Sequence, residues 1–294
     1  MRVLSEEQRR QAFFYAQEGE AELYDDIVDL TQRDYREAHR AIVDLLRYHF
    51  TSEGDPSPAE VAGSILDAGC GTGIEGISIL SAFPRIRLVG LDFNPAMLSR
   101  FTENYRSRFG AVPDERRCLL ACVDLLSDAA LAPNLRQYLP PGSGPTCYRA
   151  VVTAFALHHC TADEKKRIYS QFWSLLPPGG LFLNADLFAY RSAALDRHAR
   201  NDLEGWIVRE FARPSQDVVR RIQAAGQASE TLRDRFIEHI RNYNAPLPVE
   251  PAPRSSTGEV LAQRGEMDLL SEVGFREISC PYRYYQCGIL WATK

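Results

Sequence analysis

Three aspartates at matching places in successive apolar segments could do chemistry together. Asp67 stands within Ile65-Leu-Asp-Ala-Gly-Cys-Gly-Thr-Gly73, Asp92 closes Arg87 to Asp92, and Asp124 follows Leu119 to Val123. Gly69, Gly71 and Gly73, at alternate positions, let the backbone take restricted angles and let a ligand lie against the main chain. Asp67 at a strand tip would repel a pyrophosphate and suit an ammonium group. Asp92 lies about nineteen residues past Gly73, the spacing at which an acid grips ribose hydroxyls. Asp124 is placed to accept from an adenine amino group. A single strand-end aspartate is often only a cap. Three of them, at the ends where open α/β sheets bind ligands, describe a pocket for a cationic, phosphate-free nucleoside.

His158 and His159 follow the fourth strand segment at the mouth of that pocket. Imidazole is suited to take a proton from a hydroxyl or amine near neutrality, so either is a candidate general base, with simple packing as the alternative. Adjacent residues do not readily converge on one ion, and no metal is expected. Tyr24, followed by Asp25 and Asp26, is a candidate to bring a hydroxyl to the reacting end, again against a packing role. Asn184 and Asp186, ending the fifth strand, are candidates to contact substrate, and Trp206 is a candidate to face an aromatic acceptor.

The elements that must position these residues follow from periodicity. Residues 5 to 50 read as helices, with Ile42, Leu45 and Leu46 at helical spacing. From Ser64 short apolar strands alternate with helices, the pattern of a parallel sheet. Strands are expected at Ser64 to Ala68, Arg87 to Asp92, Leu119 to Val123, Ala150 to Phe155 and Leu181 to Ala185. Helices are expected near Ile74 to Phe83, Pro95 to Phe109, Ser127 to Tyr138 and Ala162 to Leu176. Asn94 and Pro95 form a helix start. After Asp186 the alternation stops for about seventy residues, too long for an ordinary connection. This insertion reads as three helices, followed by a linker bearing Pro246, Pro248, Pro251 and Pro253. A helix over Val260 to Val273, stopped by Gly274, leads to strands near Glu277 to Pro281 and Tyr284 to Ala292. The expected organisation is a helical cover over 1–58, a ligand-binding core over 59–186 and 259–294, and a substrate-covering insertion over 187–258.

Five motifs occur in order: Leu66-Asp-Ala-Gly-Cys-Gly-Thr-Gly, Gly90-Leu-Asp-Phe-Asn-Pro-Ala-Met-Leu, Val123-Asp-Leu-Leu, Thr153-Ala-Phe-Ala-Leu-His-His and Leu176-Pro-Pro-Gly-Gly. Together they resemble the class I S-adenosylmethionine-dependent methyltransferases, over roughly Ser64 to Asp186 and more loosely over the chain's end. The resemblance implies a Rossmann-like α/β fold with a mostly parallel seven-stranded sheet and S-adenosylmethionine as cofactor. It implies that Asp67 and Gly69 face the methionyl part, Asp92 holds the ribose, Phe93 and Met97 flank the adenine, and Asp124 and Leu125 meet its edge. Phe155 or its neighbour would close the cofactor side. Gly71-x-Gly73-x-x-Gly76 also fits the dinucleotide fingerprint by letter, but Asp67 would then sit against phosphates. Ala21-Glu-Leu-Tyr-Asp-Asp-Ile-Val28, the long insertion and Tyr285-Gln-Cys-Gly-Ile-Leu-Trp-Ala292 are similar to carboxy-S-adenosylmethionine synthase. That would imply carboxyl chemistry on the cofactor. The Gly-Cys-Gly-Thr-Gly turn, however, is the ordinary methyltransferase one, so shared architecture is the expectation.

Composition bounds the partners. With 45% hydrophobic and 25% charged residues in 294, the chain has the makings of a large globular core. A net charge of -5 argues against nucleic acid as the main partner, which needs a basic surface. The seven cysteines, without a C-x-x-C pair, suit a reducing compartment. No run approaches membrane-spanning length or a signal peptide. The expectation is a cytoplasmic enzyme that methylates a small molecule at oxygen or nitrogen. A cofactor-modifying enzyme and a non-catalytic binding module are the alternatives, and apolar residues of the N-terminal helices leave room for a homodimer.

Overall fold

The computed structural model describes residues 20–52, 54, 57–126, 138, 148–214, 216–224, 231–234, 237 and 261–294. The helices expected before residue 20 and over Ser127 to Tyr138 (apart from Tyr138) lie outside the described residues, as do the proline-rich linker and most of the third insertion helix. Two helices come first, α1 (Glu20–Thr31) and α2 (Tyr35–Ser52). There follow β1 (Ala62–Ala68), α3 (Ile74–Ala82), β2 (Arg85–Asp92), α4 (Pro95–Phe109) and β3 (Cys118–Cys122). Then come β4 (Tyr148–Ala154), a 3-10 turn (Leu157–His159), α5 (Ala162–Leu175) and β5 (Leu181–Leu187). The insertion supplies α6 (Ala193–Phe211) and α7 (Gln216–Ala224), and α8 (Gln263–Val273), β6 (Arg276–Tyr284) and β7 (Cys287–Thr293) finish the chain.

The seven strands form one sheet in the order β3-β2-β1-β4-β5-β7-β6. All pairings are parallel except those of β7 with β5 and β6. Strand order reverses between β1 and β4, which opens a crevice at the carboxyl ends of those strands. On one face α2, α3 and α4 bury Ile42, Leu46, Phe50, Ile79 and Phe101 against the sheet. On the other, α5 and α8 bury Ile168, Phe172 and Leu270.

Local signals set the helix ends. The Asn94 side chain accepts from the Ala96 N–H at 2.9 Å with Pro95 behind it, and Thr161 and Glu164 form a reciprocal capping box. Gly274, at φ 112, stops α8 as expected. The final hairpin differs from expectation. It turns at Tyr285 and Gln286, so β6 runs on through Pro281 to Tyr284. An edge strand tolerates proline because one side of it needs no N–H donor, and the β6 register shifts around this point.

The insertion does not join the sheet core. α6 and α7 pack with α1 around a separate cluster of Leu23, Ile27, Leu30, Ile207, Phe211 and Ile222. No described helix is long and apolar enough to cross a membrane.

Candidate active site

Strand alternation decides which acids reach the crevice. On β1, Leu66 and Ala68 face the α5–α8 layer, and Ile65 faces the α2–α3 layer. Asp67 shares the Ile65 side and reaches toward α3, where a side chain at Gly76 would meet its Oδ2 at 2.9 Å. The turn that follows is pinned by the N–H groups of Gly69 and Cys70, both donating to the Leu91 carbonyl at 2.8 Å. Asp92 locks the other side, accepting from the Gly71 N–H and from the Asn94 N–H, each at 2.9 Å.

The three glycines serve different ends. Gly69 (φ 78) has no room for a side chain, since a Cβ would lie 2.5 Å from that of Ala156. Gly71 (φ 50) faces open space. Gly73 (φ 87) packs against the Phe101 ring, which a Cβ would meet at 2.6 Å, and does not line the cavity.

A cavity of about 1320 Å³, its open mouth included, lies over this turn. Asp67, Gly69, Gly71, Asp92, Phe93 and Met97 converge on it, as do Asp124, Leu125, Phe155, Tyr24 and His159. Residues from five separate stretches of chain therefore meet where the motifs place a ligand. Asp124 is oriented by the Leu126 N–H, which donates to it at 2.9 Å.

The wall beneath is acidic and short of partners. Asp67 is 1% and Glu75 3% exposed, and neither carboxyl has a hydrogen bond on either oxygen. Burial, and then the charge of Asp92, push the Asp67 pKa up to about 8. Burial and then Asp67 raise Glu75 well above its ordinary value. Burial raises Asp92 to about 6, opposed by the backbone N–H groups that it accepts from. His39 lies with its Nδ1 3.9 Å from Glu75 Oε2, and burial, then Arg36, lowers its pKa to about 3. Both shifts favour the uncharged forms, which weakens any ion pairing across this contact. Unpartnered buried carboxyls are costly. Their presence in a cavity wall fits a cationic ligand that supplies the missing partner.

An aromatic cluster adjoins these acids through His39. The hydroxyls of Tyr24 and Tyr35 lie 3.3 Å apart, and the Tyr35 ring is 4.8 Å from Phe155 and 4.4 Å from His39. Burial holds the Tyr24 phenol at about 12, so it is neutral. Phe155 adopts a left-handed φ of 51, strain of the kind that collects at functional sites, while its N–H donates to the Ala185 carbonyl. α1 is fastened over the cavity by Asp25, which accepts from the Thr72 hydroxyl at 2.6 Å and from the Asn104 amide at 3.0 Å. Arg221 of α7 grips Asp26 with two bonds of 2.7 Å.

Besides Gly73, four expected site residues lie elsewhere. His158 is buried behind the lining, its Nδ1 2.5 Å from Asp186 Oδ1 and its N–H donating to Oδ2 at 2.9 Å. Asn184 and Asp186 fall by strand alternation on the β5 face covered by α5 and α8, where the Asn184 amide donates to the Tyr169 hydroxyl. Neither lines the cavity. Trp206 packs against the cluster between α1, α6 and α7. The residues missed from sequence are Glu75, His39, Tyr35, Asp25 and Thr72. Glu75 alone carried a signal, as the only charge in the apolar helix Ile74-Glu-Gly-Ile-Ser-Ile-Leu-Ser-Ala82.

Residues 66–182 match the family model described as a methyltransferase domain. This stretch is a methyltransferase domain, set in the fold of the class I S-adenosylmethionine-dependent methyltransferases. Their cofactor is S-adenosylmethionine, and the orphaned carboxyls here suit its positive charge. The structure is similar to magnesium protoporphyrin IX methyltransferase from Synechocystis PCC 6803 with bound S-adenosylmethionine, at 14% identity and TM-score 0.54, over 100% of this chain and 99% of that one. A possible exported protein from Bordetella parapertussis aligns at 17% identity and TM-score 0.51, over 88% of this chain and 67% of that one. The methyltransferase SibL in its apo form aligns at 15% identity and TM-score 0.46, over 84% of this chain. This chain spans 54% of the length of SibL. The first two of these likenesses show the shared fold. No curated protein matches in sequence.

Proposed function

We propose that this protein transfers a methyl group from S-adenosylmethionine to a small-molecule acceptor, at oxygen or nitrogen. The observation that carries the reading is the unpartnered, buried Asp67 and Glu75 beside Asp92, in a wall with no Lys or Arg among its described residues. Bound there, S-adenosylmethionine supplies an electrophilic methyl group on a sulfonium. In this reading Asp92 holds the ribose hydroxyls, Asp124 and Leu125 meet the adenine edge, and Phe93 and Met97 flank its ring. Asp67 and Gly69 face the methionyl end, and Phe155 closes that side. Tyr24, Tyr35 and Phe155 exclude water and hold an acceptor in line, which supplies much of the acceleration for methyl transfer.

His159 is the candidate base, because it lines the cavity while the His158 ring is engaged with Asp186. His158, its ring packed at a tilt against that of His159 with centroids 4.1 Å apart, acts as its positioning residue. A carboxylated cofactor would bring an added anion to an acidic wall without a cation, so the plain cofactor is the better fit. The net charge of -5 supports a small-molecule acceptor over nucleic acid.

The test is transfer of label from methyl-labelled S-adenosylmethionine to panels of phenols, carboxylic acids and amines, read by mass spectrometry. A methylated product is expected, with His159→Ala lowering kcat and leaving cofactor affinity near wild type. Binding without turnover on any acceptor would favour a non-catalytic module.

A further inference from the structure

The cavity wall holds more buried acid than ribose recognition requires. Asp92 already satisfies that role through a carboxyl fixed by the Gly71 and Asn94 N–H groups. Asp67 and Glu75 stand behind it, almost fully buried, with four oxygens and no hydrogen bond among them. Every surrounding element leaves them unneutralised. His39 faces Glu75 from α2 as a neutral ring, Asp92 faces Asp67 from β2, Cys70 adjoins from the turn, and Cys118 feels Asp67 from β3. Arg36 acts on His39 but does not line the cavity.

We propose that Asp67 and Glu75 form a carboxyl pair that reads the charge of the cofactor, releasing a proton when the methyl-bearing sulfonium form binds and favouring it over the thioether left after transfer. The proposal rests on the methyltransferase reading and deepens it. S-adenosylmethionine carries two positive groups, ammonium and sulfonium; S-adenosylhomocysteine keeps only the ammonium. A positive ligand beside two buried acids favours their ionised form, and the displaced proton goes to solvent. Losing the sulfonium charge weakens that effect, so the proton returns and the product is held less tightly. The sign follows from linkage. The bound state carries fewer protons than the empty one, so affinity for the sulfonium form rises with pH up to about pH 8, where Asp67 of the empty protein ionises by itself. The rise approaches about tenfold per pH unit for each proton released.

Calorimetric titration of the whole chain with S-adenosylmethionine and with S-adenosylhomocysteine, in buffers of different ionisation enthalpy, counts the protons directly. The expected result for wild type near pH 7 is a larger proton release with S-adenosylmethionine, and a several-fold gain in its affinity from pH 6 to 8 that the product does not match. Glu75→Gln should reduce the proton release and shrink the preference for the charged form by about tenfold. Equal proton release for the two ligands in wild type overturns the proposal without any variant, so a misfolded Glu75→Gln cannot rescue it. If both ligands bind alike, the charge reading falls and the cofactor assignment stands. Absence of binding by either ligand sinks both.

Discussion

Replacing Asp25 by alanine tests whether α1 is part of the binding site or an ornament on it. Its carboxylate ties α1 to the glycine turn through Thr72 at 2.6 Å and to α4 through Asn104 at 3.0 Å. A hydrogen bond to a charged group contributes about 1.5–3 kcal/mol when shielded. The Asp25 side chain is 19% exposed, so about 2 kcal/mol for the pair is a discounted figure. The loss falls on the docking of α1, because the sheet core is buried by other helices. Tyr24 sits on that helix, one residue away. If the bound state needs α1 docked, a 2 kcal/mol penalty weakens cofactor affinity by up to about 30-fold. The assays are calorimetric Kd and hydrogen exchange of the α1 amides. Asp25→Asn, which keeps one acceptor, should fall between wild type and alanine. Wild-type affinity in Asp25→Ala, with α1 amides exchanging no faster, would refute the reasoning.

Three further outcomes follow from the same geometry. Gly69→Ala forces a left-handed residue against Ala156 and should cost about 2 kcal/mol or more, seen as a lowered Tm and weakened cofactor binding. Lys165→Met leaves Glu266 buried with only the Tyr169 hydroxyl donating to it, and should cost about 3–5 kcal/mol by urea denaturation. Adding Glu266→Gln, which removes the unpaired charge and keeps an acceptor for Tyr169, should recover much of that loss. The pH dependence of the cofactor-free protein has a definite sign. Asp67 and Asp92 have folded pKa values raised to about 8 and about 6, so the folded state binds more protons than the unfolded one above pH 4. Stability is therefore lost as pH rises through these values, and Tm measured from pH 5 to 8.5 should fall, with the fall reduced by S-adenosylmethionine.

Much of this was legible in the chain itself, for identifiable reasons. Asp67, Asp92 and Asp124 could be placed because strand ends are marked by apolar runs and the glycine turn fixes where the backbone reverses. Asn184 and Asp186 were misplaced because position along a strand shows which end a residue occupies, whereas its face depends on register with the neighbours. Asp186 turned inward to hold His158. Trp206 failed for a related reason. The insertion reads as a substrate cover, yet its apolar residues found α1 first. Glu75 and His39 belong to helices whose charged positions ordinarily face water. Only the packing of α2 on α3 buries them together, and that contact has no local sequence signal. The hairpin at Tyr285 moved because Pro281 reads as a break, while an edge strand accommodates it.

The central claim is that the acidic turn binds S-adenosylmethionine. Titration of the purified chain with S-adenosylmethionine at pH 7.5, in parallel with Asp92→Ala, measures it most directly. Saturable one-to-one binding is predicted, weakened at least tenfold in the variant, because the buried carboxyl proposed to hold the ribose is lost together with the brace of the turn. No binding by wild type, or identical binding by Asp92→Ala, would contradict the account.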